Sequence, residues 1–141
     1  MRLTGARQAL GMVGWALTLP LLKRALSLRR LVRLLAPPPP HTPHDPVAAA
    51  RIVRIVRRLY HPTRHSPATN CLERSLVLYR YLAAAGAAPY LVIGMAPRSG
   101  PFRGHAWVEV AGRPVGETAA DLAPYQPLVV FGPGGEVVTR K

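Results

Sequence analysis

The sequence predicts an α+β domain in which helices come first and an antiparallel sheet follows them. Three observations carry this. Apolar residues at helical spacing, bounded by proline and glycine, dominate the chain as far as Gly86. Short alternating or aliphatic runs separated by Gly and Pro turns make up the rest. The 141 residues, 49% of them hydrophobic, suffice for one core and one domain.

The elements follow in order. After Pro20, Leu21, Ala25, Leu28, Val32 and Leu35 recur on one helical stripe with Lys23 and Arg30 opposite, which reads as a basic amphipathic helix. The uncharged run before it, Gln8 to Leu22, has 15 residues, contains Gly11, Gly14 and Pro20, and falls short of the roughly 20 that span a bilayer. Lys23-Arg24 stand where a signal peptide would carry small neutral residues, so no targeting segment is expected. Residues 1–36 have two readings: a helix packed on its own domain with a wet basic face, or a face docked on an anionic membrane or partner. Six prolines between residues 37 and 46 predict a stiff connector over 37–45, leaving 46–141 as the main domain.

Asp45-Pro46 is a good helix start, because the carboxylate accepts from free backbone N–H groups and proline fits the first helical position. That helix should run to about Tyr60, with Ile52, Val53, Ile55, Val56 and Leu59 inward and Arg51, Arg54 and Arg58 wet, and His61-Pro62 should break it. Asn70-Cys71-Leu72-Glu73 reads as a capping box opening a helix through Leu72, Leu76, Val77, Tyr79 and Leu82 that ends at Gly86. Tyr90 to Met95 and Gly104 to Val110 read as strands, with shorter ones around 114–117, 128–131 and 136–139.

The charge is +13, from 19 Lys and Arg against 6 Asp and Glu. Residues 1–36 carry seven basic side chains and no acidic one, whereas 71–141 are only +2. Such a balance implies an anionic partner, whether nucleic acid, membrane surface or acidic peptide, and says nothing of fold. The single cysteine excludes a disulfide framework and a multi-cysteine zinc site, and suits a reducing, cytoplasmic setting. The pairs His41/His44 and His61/His65 have prolines within or beside them and no cysteine or acidic cluster, so neither a metal nor another cofactor is expected.

Cys71 falls in the first turn of its helix, where the dipole and unpaired N–H groups favour a thiolate. A lone cysteine is more often a small buried hydrophobe, so its neighbours must decide. On the strand 104–110, His105, Trp107 and Glu109 share one face and Ala106, Val108 and Val110 the other. His105 starts that strand, where it can reach a packed helix's N-terminus, and an acid on the next strand would then complete a Cys-His-acid triad. Glu109 lies four residues along, about 13 Å away, too far to help. A turn at Ala111-Gly112 would bring Glu117 back beside His105, with Asp121 beyond the strand end.

The segments Asn70-Cys71-Leu72-Glu73-Arg74-Ser75-Leu76, Tyr90-Leu91-Val92-Ile93-Gly94 and Gly104-His105-Ala106-Trp107-Val108-Glu109-Val110-Ala111-Gly112-Arg113-Pro114-Val115 resemble the transglutaminase-like cysteine peptidases that process lasso peptide precursors. The likeness is to the stand-alone peptidase subunit of the split type and covers about residues 46–132; the basic N-terminal helix and the connector suit the family too. It implies a papain-like or transglutaminase-like α+β fold in which Cys71 attacks a peptide carbonyl and His105 serves as base and then acid. It also implies cleavage between leader and core of a ribosomally made precursor peptide, delivered by a separate PqqD-like leader-binding protein to precede an ATP-using lasso cyclase. Family members often carry Asp where Glu117 lies. Two other classes stay open. A transglutaminase-like acyltransferase would use the same triad with an amine acceptor. A non-enzymatic protein binding nucleic acid or an anionic membrane would explain +13 but not the placement of Cys71, His105 and Glu117.

Overall fold

The computed structural model describes residues 2–39, 43–61, 70–97 and 103–140; His41, Pro62, His65 and the turn residues 100–102 lie outside them. The chain forms α1 (Arg2–Ala25), α2 (Leu28–Leu35), α3 (Pro46–Leu59), α4 (Cys71–Ala84), β1 (Pro89–Met95), β2 (Gly104–Val110), β3 (Arg113–Pro114), α5 (Ala119–Leu122), β4 (Gln126–Phe131) and β5 (Val137–Val138). The strands make one antiparallel sheet in the order β3-β2-β1-β4-β5, so the fold is α+β, helices followed by an antiparallel sheet.

Helix α4 is central because it is apolar on most sides. Leu76, Tyr79 and Leu82 are fully buried and share a core with Leu91, Val108 and Phe131 of the sheet and with Ile52 and Val56 of α3. Met12 and Leu19 of α1 and Leu31, Val32 and Leu35 of α2 are fully buried in the same core. The opposite face of the sheet carries a smaller cluster of Val92, Trp107 and Val130, in keeping with the alternation along β2. Gly94 is required there: a Cβ on it would stand 2.7 Å from the Trp107 ring, which lies across β1.

The N-terminal helix differs from the expected one. It begins at Arg2, runs through Pro20 and stops at Ala25, and α2 starts afresh at Leu28. Ser27 causes the restart, since its extended backbone turns the chain and its hydroxyl accepts from the Arg30 N–H. The stripe from Leu21 to Leu35 is therefore split, with Leu21 68% exposed while Val32 and Leu35 are buried.

Helix α3 starts as expected: Asp45 accepts from the N–H groups of Val47 and Ala48, and Pro46 fills the first position. The far end of α4 closes in a Schellman motif, with Gly86 at φ 86°, Gly86 N–H on Ala83 O and Ala87 N–H on Leu82 O. The expected strand around 114–117 is shorter. Ala111 and Gly112, both at positive φ, form a tight turn that pairs Val110 with Arg113 and Glu109 with Pro114. Gly116, at φ 75°, then swings the chain away from β2.

Candidate active site

Cys71 is the first residue of α4, directly after Asn70 at the N-cap. The expected capping box does not form: Asn70 makes no side-chain bond to the helix. Glu73 cannot reach back because its buried carboxylate is held by Lys23 Nζ at 3.0 Å, across from α1. Neither residue of the expected box therefore caps the first turn, where the thiol sits.

The open edge of β2 sets the other half. In an antiparallel ladder alternate residues turn their N–H and C=O to the same side. Val110, Val108 and Ala106 turn theirs toward β3, and Val108 O accepts from Val115 N–H at 2.9 Å. Beyond Gly116 there is no β3 left to serve Ala106, and α4 takes its place. Ser75, one turn after Cys71 and buried, donates its hydroxyl to Ala106 O at 2.9 Å, and the Ala106 N–H donates to the Cys71 sulfur. The strand is thereby clamped to the helix at the residue following His105.

His105 Nε2 meets Glu117 Oε1 at 2.5 Å, and the ring also bonds the Cys71 thiol, which leaves Nδ1 for sulfur. Glu117 stands in the bend after β3 rather than on a strand. Arg74 Nη2 lies 3.3 Å from the same Glu117 oxygen, a contact at ion-pair distance but without hydrogen-bond alignment. The other two carboxylates are engaged elsewhere. Glu109 accepts from the Trp107 indole at 2.9 Å and from Arg140 at 2.6 Å. Asp121 forms a capping box with Thr118 that opens α5, an element the sequence reading lacked. Of Glu109, Glu117 and Asp121, Glu117 alone hydrogen-bonds His105, whose ring thus connects Cys71 with Glu117.

Burial opposes ionisation of the Cys71 thiol, but the His105 ring, the Ala106 N–H and the Arg74 charge outweigh it and hold the group below the ordinary thiol value. His105 is pushed up to about 9 by its bonds to Cys71 and Glu117, against partial burial. The arrangement therefore shifts the balance toward a thiolate-imidazolium pair. Tyr125 stacks on the imidazole at 4.9 Å and 27°, fixing the plane of the ring. Tyr125 was missed because it lies in a turn between α5 and β4 with no periodicity. Ser75 and Arg74 had a readable signal, since they stand four and three residues after Cys71 on one side of the helix.

Beside Glu117 opens a cavity of about 750 Å³ between α3, α4 and the β3–α5 segment. Arg54, Arg57 and Arg58 line its α3 wall, and Arg74, Glu117 and Asp121 its far wall. Arg54, Arg57 and Arg58 make no ion pair among the described residues. No group of three His, Cys, Asp or Glu side chains able to hold a metal occurs among the described residues.

Neither the curated proteins nor the solved structures gave a match to the chain. A model of the transglutaminase-like superfamily matches residues 9–130, from within α1 to β4. Members of that superfamily are generally cysteine-dependent enzymes, peptidases and acyltransferases among them. With a match over most of its length, and a helix bearing the cysteine packed on an antiparallel sheet, the chain belongs to the transglutaminase-like superfamily.

Proposed function

We propose that the protein is a cysteine peptidase that removes the leader from a ribosomally made lasso peptide precursor. The observation that supports catalysis is the chain of contacts from Cys71 through His105 to Glu117 at the start of helix α4. The Cys71 thiolate attacks the scissile carbonyl carbon, and the Cys71 backbone N–H, free of any helical bond, is the first donor to the oxyanion. The His105 imidazolium gives its proton to the leaving amine, and a thioester remains on Cys71. His105, now neutral, takes a proton from water as it attacks that thioester, and the carboxylic acid leaves. Glu117 holds the ring through Nε2 and stabilises its charge.

The leader specificity rests on the sequence likeness, and the cationic cavity beside Glu117 is a fitting groove for a peptide segment that carries carboxylates. A separate PqqD-like protein would present the precursor, and a lasso cyclase would take up the released core. The test is to incubate the protein with a candidate precursor and its leader-binding partner and weigh the products. Two fragments differing from the precursor by one water support the peptidase. An acyl group carried to an added amine would instead assign the acyltransferase reading, and an unchanged precursor would sink both.

A further inference from the structure

Helix α1 is apolar on two opposite faces, and the fold covers one of them. Met12, Trp15, Leu19 and Leu22 face the core. Leu10, Val13, Leu17 and Leu21 are 71, 42, 73 and 68% exposed. Their spacings of three, four and four residues set them on one stripe about 16 Å long, diametrically opposite the core face. A helix apolar all round belongs in apolar surroundings on every side. Exposed Arg7 precedes Leu10 by three residues and exposed Arg24 follows Leu21 by three, so both ends of the stripe are basic. No acidic residue occurs before Asp45. Lys23 is committed to Glu73 and takes no part.

We infer that this face of α1 docks in the plane of an anionic lipid surface, its leucines at the acyl boundary and Arg7 and Arg24 on phosphates. Charge selects this occupant. A second copy meeting the stripe face to face would set Arg7 and Arg24 against the partner's equivalents with no carboxylate to pair them. A lipid surface supplies apolar chains and negative headgroups at the required boundary. No helix among the described residues is long and apolar enough to cross a membrane, so α1 lies on the surface. This docking is independent of the peptidase reading.

The test is cosedimentation of the full chain with vesicles of phosphatidylcholine containing phosphatidylglycerol, and with vesicles of phosphatidylcholine alone. Deletion of residues 1–36 is unsuitable, because it removes five fully buried core side chains, Met12, Leu19, Leu31, Val32 and Leu35. Leu17→Glu/Leu21→Glu and Arg7→Gln/Arg24→Gln alter only exposed positions, and unchanged far-UV circular dichroism checks their folding. Wild type should pellet with the anionic vesicles and be released by salt. The leucine variant should bind at least about tenfold more weakly, and the arginine variant should bind more weakly and lose part of the salt dependence. The proposal is overturned if wild type stays in the supernatant with both vesicles, or if the folded leucine variant binds as wild type does. It is also overturned if sedimentation equilibrium without lipid shows a dimer that the leucine variant abolishes, which would make the face a contact between copies.

Discussion

The two ends of helix α4 are treated in opposite ways. At its C-terminus the Schellman bonds from Gly86 and Ala87 close the helix locally and completely. At its N-terminus the expected side-chain caps do not form: the Asn70 side chain makes no cap bond, and Glu73 is held by Lys23. That end instead meets a thiol, an imidazole and the edge of β2. One end is spent on stability, the other on chemistry. Changes at the N-terminal end should therefore remove rate with little loss of fold, and changes at the C-terminal end the reverse.

The largest effect belongs to the nucleophile. Cys71→Ala should lower precursor cleavage by at least about 10³-fold, and His105→Ala nearly as far, because the two act as a unit. Thermal melting of Cys71→Ala should stay close to wild type, since the half-buried thiol contributes little packing. Full activity in Cys71→Ala would end the peptidase reading, and a collapsed melting temperature would break the division between the two ends.

Glu117→Gln comes next, with a fall of about 10 to 10⁴-fold in kcat and little change in KM, because an orienting acid acts on the transition state. Glu117→Asp should retain much of the rate. Asp121→Asn should leave kcat near wild type, since Asp121 is occupied with Thr118. If Asp121→Asn proves the damaging change, the register between β2 and the segment after β3 is wrong.

A gentler probe of the same end is pH. Cys71 is held low and His105 high, so alkylation by iodoacetamide should stay fast through neutral pH, and kcat/KM should fall as pH rises through about 9 and the imidazolium is lost. The sign for stability is the same. A histidine whose folded value is raised stabilises the fold below its ordinary value near 6.5, and that contribution disappears as pH rises through about 9. His105→Ala should flatten both curves on the alkaline side.

The contrast between the ends also explains what the sequence disclosed. Gly86, Asp45-Pro46 and the Ala111-Gly112 turn were readable because each solves a local backbone problem with neighbours a few residues away. The capping box assigned to Asn70 and Glu73 failed because a residue from α1, fifty positions earlier, claims the carboxylate. A real capping box, Thr118 with Asp121, went unread because its helix is four residues long and buries nothing. Tyr125 was invisible for a related reason: its partner His105 is brought near only by tertiary packing. The stripe on α1 was misplaced because the restart at Ser27 breaks the phase between Leu21 and Leu28.

The smallest effect tests the quiet end. Gly86 holds φ 86°, a left-handed conformation in which a Cβ crowds the following carbonyl. Gly86→Ala should lower stability by about 1 kcal/mol, or about 3–4 °C in melting temperature for a chain of this size. Gly86→Asn should lose less, because asparagine tolerates that conformation better. Both variants should cleave precursor and react with iodoacetamide within about twofold of wild type at temperatures where they are folded. The counterpart at the other end is Ser75→Ala, which removes the hydroxyl from Ala106 O and should slow alkylation of Cys71 as well as lower stability by about 1 kcal/mol. If folded Gly86→Ala loses reactivity as Ser75→Ala does, the last turn of α4 is coupled to the first, and the two ends are one unit.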